Sequence, residues 1–306
     1  MEFDILPGEA FYGGAVIDGI NQPYTQASER ELDLTRNQTP NQMMPLLLST
    51  AGRWVWNPDG MRISFRKGRI QCTDGTILGQ STGGLRQAYL GAMEHCFPLH
   101  EIRLDERLFS NPVYNTWIEL TFHQTQEGVL QYARAVLENG LPPGVLMIDD
   151  GWSDSYGRWH FSREKFYDPE GMLSELHHLG FTVMLWICPF ITPDTQEYRE
   201  LEQAGLLVTD RDGKSYISHW WNGWSAVLDM TQPAACSWLK RQLDGLQAMG
   251  VDGFKFDAGD SVYYPADSVV TGDTHSKAWA AFGERYPLNE FRVTNGAGGW
   301  SLMQRL

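Results

Sequence analysis

The chain changes rhythm about a third of the way along. Beyond residue 112, short apolar runs alternate with longer stretches in which apolar residues return every three or four positions. The first kind fits a strand buried on both faces and the second an amphipathic helix. "VYNTWIELTF" thus predicts a strand, and "TQEGVLQYARAVLENG" a helix capped by Thr125 and ended by Gly140. "GVLMID" is the next strand, "DPEGMLSELHHLG" a helix with Pro169 near its start and Gly180 beyond its end, and "FTVMLWI" a strand again. "TPDTQEYRELEQAG" reads as helix and "WSAVLDM" as a short strand. "TQPAACSWLKRQLDGLQAMG" is a helix stopped by Gly250, "VDGFKFDA" a strand, "DTHSKAWAAFGERYP" a helix and "FRVTN" a final strand.

Residues 1–104 read differently. Turn signals ("LPGE", "NPDG", "KGR", "TDGT", "TGG") separate short strand-like runs: "PLLLST", "RWVWN", "MRISFRKGRIQC" and "QAYLGAM". Such spacing predicts a β-sandwich-like region. "TQASERELDLTRNQTPNQ" is polar and reads as a loop with at most one helical turn.

Strands alternating with helices over residues 105–306 predict βα units around a parallel sheet. Neither GxGxxG nor GxxxxGK[ST] occurs at a strand-to-helix turn, which argues against a doubly wound nucleotide-binding sheet. Acidic and aromatic residues stand at the strand ends instead: Trp117, Asp149, Asp150, Trp152, Trp186, Asp229, Asp257 and Asp260. Polar groups gathered there mark the mouth of a (β/α)8 TIM-type barrel. The fold class is therefore α/β, and the strands reach about five of the eight a barrel needs, so the barrel in this chain is expected to be incomplete.

Bulk composition narrows the field. The 306 residues carry a net charge of −14, which repels phosphate backbones and argues against a nucleic-acid partner. Cys72, Cys96, Cys188 and Cys236 form no CxxC pair. "MEFDILPGEAFYGG" lacks the basic and apolar segments of a signal peptide, and no apolar run approaches a membrane span. The expectation is a soluble, cytoplasmic chain without a membrane partner, with secretion open if the natural N-terminus lies further upstream. Twelve tryptophans and 12 tyrosines fill cores or stack on flat ligands; alone they decide nothing.

Two carboxylate clusters carry the chemistry. In "GVDGFKFDAGD", Lys255 and Asp257 lie two apart in an apolar strand and share a face. Charge is buried at a cost, so the pair is either structural or functional. A neighbouring cation favours ionised Asp257, which makes it a candidate nucleophile. "MIDDGWSD" sends Asp149 and Asp150 out of a buried strand, followed by Gly151 and Trp152. A capping aspartate with a packed tryptophan, a grip on ligand hydroxyls beside an aromatic platform, and a two-metal site are all open readings. "SHWWNGWSAVLDM" offers three tryptophans and an asparagine before Asp229, either as core or as a stacking wall. His219 reads as a hydrogen-bonded loop histidine rather than a metal ligand, and Asp260 as a turn residue or a ligand contact.

At these residues the sequence resembles family 31 of the glycoside hydrolases, retaining α-glycosidases with a β-sandwich before a (β/α)8 barrel. "PVYNTW", "IDDGW", "LWICPF", "AVLDMTQPAA" and "DGFKFDAGDSVYYP" match in order, and "YGGAVIDG" and "MPLLLSTAGRWVW" more loosely. Within the family, "GFKFDAG" is most similar to a branch with α-galactosidase-like activity. The resemblance implies Asp257 as the nucleophile, and Asp149, Asp150 and Lys255 as sugar binders beside Trp186 and Trp221 as pocket walls; Trp152, the aromatic platform after the two aspartates, is a candidate substrate contact on the residues alone. Asp260 joins the candidate substrate contacts. It implies neither a metal nor an organic cofactor. The family's arginine before its acid/base falls to Arg305 or is replaced by Asn295, and the acid/base itself is expected beyond Leu306.

Two expectations follow. The first is a retaining α-glycosidase acting on an oligosaccharide or glycoside, with α-galactosides favoured over α-glucosides, through a covalent glycosyl–Asp257 intermediate. The second is a non-catalytic carbohydrate-binding or interaction protein, because the acid/base segment is missing. In either case the open barrel invites a homo-oligomer or a complementing C-terminal fragment.

Overall fold

The computed structural model describes residues 1–97, 102–264 and 268–305. Pro265, the last residue of the "DGFKFDAGDSVYYP" motif, and Leu306 lie outside the described residues.

Eight strands open the chain: β1 (Glu2–Asp4), β2 (Phe11–Ala15), β3 (Arg30–Leu34), β4 (Met43–Ser49), β5 (Arg53–Trp56), β6 (Met61–Arg66), β7 (Arg69–Cys72) and β8 (Ile77–Gln80). They form two antiparallel sheets, β1-β7-β6-β3 and β2-β4-β5-β8. Phe11, Leu47 and Val55 of one meet Leu32, Ile63, Phe65 and Ile70 of the other in a shared core, the sandwich expected from the turn spacing. Two details differ from the sequence reading. The polar segment holds β3, where Leu32 and Leu34 turn inward while Glu31 and Asp33 face water. "QAYLGAM" is helical, within α1 (Leu85–Cys96). Its small residues Ala88, Gly91 and Ala92 recur at helical spacing, and this face is buried. A Cβ on Gly91 would lie 2.1 Å from Ser81 Oγ and 3.1 Å from the Trp54 indole nitrogen, so the hydroxyl beside it leaves room only for glycine.

After the single-turn helix α2 (Arg107–Ser110) come β9 (Val113–Asn115), the short α3 (Trp117–Leu120), α4 (Gln126–Glu138) and β10 (Val145–Ile148). The predicted first strand is thus cut short: Asn115 Oδ1 accepts from the Trp117 amide at 2.7 Å, and the chain turns. A hairpin follows, β11 (Ser153–Ser155) with β12 (Arg158–Phe161), then α5 (Pro169–His178), β13 (Thr182–Ile187), β14 (Phe190–Ile191) and α6 (Gln196–Gln203). A second hairpin, β15 (Ile217–Trp220) with β16 (Gly223–Val227), precedes α7 (Pro233–Met249), β17 (Gly253–Phe256), α8 (Gly272–Gly283) and β18 (Asn289–Phe291). "WSAVLDM" is therefore a strand, but one that pairs antiparallel with β14 and β15 outside the main sheet. "FRVTN" contributes only Phe291; the strand starts two residues earlier.

The main sheet runs β9-β10-β13-β17-β18, all parallel and in sequence order, as an incomplete, curled half-barrel. Closed barrels of this class have eight strands. Residues of β10, β13 and β17 are buried throughout rather than alternately, as expected for parallel strands covered on both faces. Leu146, Ile148, Val183, Leu185, Phe254 and Phe256 meet α4, α5, α7 and α8, while Val145, Met147 and Met184 meet Leu108 and Leu288 on the other side. Period two carries that inner face onward to Asp149, Trp186, Lys255 and Asp257. Gln42 joins sandwich to barrel, donating to the Arg292 carbonyl at 2.6 Å and accepting from the Thr294 amide at 2.9 Å. Among the described residues, no helix is long and apolar enough to cross a membrane.

Candidate active site

Trp186, Lys255 and Glu290 are in register across β13, β17 and β18. One step beyond the strand ends, Asp149 and Asp257 complete a buried layer. Lys255 Nζ stands 2.7 Å from Asp149 Oδ2 and 3.3 Å from Asp257 Oδ2, one ammonium serving two carboxylates. Asn115 also donates to Asp149 Oδ2, at 2.7 Å. Trp186 Nε1 donates to Asp257 Oδ2 at 2.7 Å, the Ala258 amide to Oδ1 at 2.9 Å, and Arg305 approaches Oδ1 at 3.5 Å. Burial alone would raise the Asp257 carboxyl, but Lys255, Arg305 and these hydrogen bonds outweigh it and hold the group below its usual range. Asp257 is therefore an ionised carboxylate with little exposure, the state a nucleophile needs. Ala258 (φ 57°) and Gly259 (φ 78°) then turn the chain away in left-handed conformations.

Asp150 faces different company. Its Oδ2 accepts from Tyr156 Oη at 2.9 Å and Asn222 Nδ2 at 2.8 Å, and Asn222 also reaches Tyr156 Oη at 2.9 Å. Burial pushes Asp150 up to about 6, with the Asp149 charge adding to it and Tyr156 opposing. Gly151 makes the turn that follows at φ 97°, where a Cβ would come within 2.9 Å of the Phe122 carbonyl.

These groups line a cavity of about 510 Å³, walled by Trp117, Trp186, Trp221 and Tyr263 and rimmed by Pro40, Asn222, Arg292 and Arg305. Its floor is polar and its walls are aromatic, a combination that suits a ligand with hydroxyls on its edge and C–H groups on its faces.

The structure brings Asp149, Asp150, Trp186, Trp221, Lys255, Asp257 and Arg305 together, as read from the sequence. Trp152 and Asp260 are placed elsewhere. The turn at Gly151 sends Trp152 into the core, where its indole is fully buried against Trp159 and Phe161 and donates to the Trp186 carbonyl at 2.8 Å. It supports the wall from behind and does not reach the cavity. Asp260 is likewise fully buried, paired with Arg292. Asp229, expected at the barrel mouth, accepts from the Thr231 amide and hydroxyl near the start of α7. Asn295 bonds Asn37 and Asp273 at the seam with the sandwich, so of the two candidates for the arginine position only Arg305 is in the cavity. His219 lies in β15 against the Trp224 ring, at 4.7 Å.

Sequence reading missed Asn115, Tyr156, Asn222, Glu290, Arg292 and Pro40. Asn222 carried a signal, an asparagine set among tryptophans. Pro40 carried none, since only the packing of the sandwich on the barrel brings it there.

The family model for the glycosyl hydrolases family 31 TIM-barrel domain matches residues 112–296, and the chain belongs to that family. The mouse myogenesis-regulating glycosidase is 34% identical over 161 residues, 52% of this chain and 22% of that protein. The α-xylosidase XylQ of Lactiplantibacillus pentosus is 27% identical over 266 residues, 84% of this chain and 33% of that protein. In fold, the chain is similar to the glucose-bound family 31 dextranase of Flavobacterium johnsoniae, with a TM-score of 0.75 at 15% identity over 96% of this chain and 40% of that one. The chain thus spans a third or less of these two curated relatives.

Proposed function

We propose that the chain carries the nucleophile and the hydroxyl-binding floor of a retaining α-glycosidase, with α-galactosides favoured over α-glucosides. The observation that carries this reading is the ionised, buried Asp257 under Lys255 and Arg305 at the floor of an aromatic-walled cavity. Asp257 attacks the anomeric carbon as the bond to the leaving oxygen breaks, forming a β-linked glycosyl ester. Water then attacks that carbon and releases the carboxylate. Retaining hydrolysis also needs a second carboxyl group roughly 5–5.5 Å away to protonate the leaving oxygen and then activate water. By the resemblance, that group falls beyond Leu306. Asp149, Lys255 and the Asp150–Tyr156–Asn222 cluster offer the donors and acceptors that hold sugar hydroxyls. The preference for galactose rests on the "GFKFDAG" resemblance alone.

The experiment incubates the chain with 4-nitrophenyl α-galactoside, α-glucoside and α-xyloside, following nitrophenol release and intact mass together. Nitrophenolate leaves with little help from an acid, so the ester at Asp257 is trappable. An adduct that is greatest with the galactoside, and absent from Asp257→Asn, supports the proposal. Greater labelling by xyloside or glucoside overturns the sugar preference. Monosaccharide binding with no adduct on any substrate favours the non-catalytic reading.

A further inference from the structure

Asp260 follows the candidate nucleophile by three residues and has no exposed surface. Its Oδ1 accepts from Arg292 Nε at 3.3 Å, while the buried Oδ2 has no hydrogen-bond partner among the described residues. An acid enclosed with half its acceptor capacity unused is costly, which asks what its charge holds in place. Arg292 extends that charge in two directions. Its Nη2 donates to the Pro40 carbonyl of the sandwich at 3.1 Å. Its guanidinium carbon also lies 4.7 Å from the centre of the Trp221 ring, a cation–π contact. Tyr263 meets the same indole edge-on at 5.7 Å, and Trp220 at 5.0 Å.

We propose that Asp260 is a positioning residue: through Arg292 it ties the loop after Asp257 to the sandwich and to Trp221, and so fixes the outer wall of the cavity. That this wall faces a sugar rests on the glycosidase reading; the coupling between Asp260 and Trp221 does not. Asp260 does not itself line the cavity and reaches it only through Arg292, while Asp257 has separate partners in Lys255, Arg305, Trp186 and the Ala258 amide.

The charge state of Asp260 makes the coupling testable. Burial pushes its carboxyl up to about 6, against Arg292, with Asp257 adding a smaller push. The titratable and charged groups facing it are Asp257 after β17, Arg292 after β18, and Tyr263 and Tyr264 from the turn between β17 and α8. Both tyrosines are raised, by burial first and then by the Asp260 charge, and stay neutral. Above about 6 Asp260 is ionised and holds Arg292; below it the hold weakens and Trp221 is released. Asp150 also titrates at about 6, and its partner Asn222 adjoins Trp221, so it must be controlled for.

The test labels the chain with 5-fluorotryptophan, assigns the Trp221 fluorine resonance from Trp221→Phe, and follows it between about pH 5 and about pH 8, across the range where Asp260 changes charge. The resonance should move with a midpoint at about 6 in the unmodified chain and in Asp150→Asn. Asp260→Asn should hold it at its low-pH position, and Asp260→Glu should restore the titration. Galactose or glucose, titrated at the same resonance, should bind about tenfold more weakly to Asp260→Asn. An Asp260→Asn protein that keeps the original resonance and its titration overturns the proposal, as does loss of the titration in Asp150→Asn instead. If Asp260→Asn does not fold, Arg292→Lys is the second variant; it keeps the charge but loses the planar fork. A Trp221 resonance unmoved by Arg292→Lys overturns the coupling. If the titration tracks Asp260 but neither sugar moves the resonance, the coupling stands and the glycosidase reading fails.

Discussion

The sandwich and the half-barrel both bury carboxylates against cations, and to opposite effect. In the sandwich, Glu9 accepts from Ser49 Oγ at 2.6 Å, Arg53 Nε at 2.8 Å and the Leu6 amide at 2.9 Å, while the Arg53 guanidinium covers the Phe3 and Phe11 rings. Asp18 is bonded in the same closed way by Arg30, Tyr24 and Asn21. In the half-barrel, Lys255 is shared between Asp149 and Asp257, and those carboxylates open on a cavity. A buried ion pair is therefore not in itself a mark of function. What separates the two is whether the pair's remaining capacity faces protein or an empty volume.

The sharpest way to break this comparison is to remove each cation. Arg53→Met and Lys255→Met each strand buried carboxylate charge, and each should cost about 3–5 kcal/mol in chemical denaturation. Only Lys255→Met should abolish sugar binding measured by calorimetry under conditions where both variants are folded. Equal losses of binding would mean that the half-barrel pair is as structural as the one in the sandwich.

Acid should then separate the regions. Burial pushes Asp150 and Asp260 up to about 6, so the folded state takes up protons before the unfolded chain does. Stability from these groups rises as pH falls from about 6 towards the unfolded carboxylate value of about 4. Glu9 and Asp18 behave in the reverse way: burial raises them, but Arg53 and Arg30 with their other partners bring them below the usual range. Their contribution is present above the unfolded value and is lost as pH falls through the depressed one. A denaturation series across this range should show a rise followed by a fall. Asp260→Asn should remove about 1–2 kcal/mol of the rise, whereas a monotonic decline from neutral pH would contradict the placement of both acids.

The smallest expected effect belongs to Tyr156→Phe. Losing one hydroxyl to Asp150 should weaken monosaccharide binding by about 1 kcal/mol while the Asp257 adduct still forms. Loss of the adduct as well would move Tyr156 from the binding side of the site to its chemistry.

Much of the floor could be read from the chain because Lys255, Asp257 and Asp149 break apolar strands with charge, and a two-residue period assigns their face. Helix α4 was equally plain: Thr125 accepts from the Gly128 amide at 3.1 Å, as its cap position predicted. The rim was harder. Trp152 stands next to two site aspartates in the sequence, yet the backbone turn at Gly151 decides that its ring goes inward, and turn angles are not visible in residue order. Arg292 looked like an ordinary strand residue because its partners Asp260, Trp221 and Pro40 come from three separate segments. "QAYLGAM" misled for the opposite reason: a short apolar run fits a strand or a helix face equally, and here Ala88, Gly91 and Ala92 form the buried face of a helix.

Pro40 has a consequence for engineering. A residue of the N-terminal region forms part of the cavity rim and Gln42 clamps the segment after β18, so the sandwich is not an interchangeable cassette. A chimera that exchanges residues 1–97 takes the Pro40 edge of its rim from one parent and the rest of its cavity from the other. A substitution in the segment from Pro40 to Gln42 is thereby felt at the mouth of the cavity, although it lies in the other half of the chain.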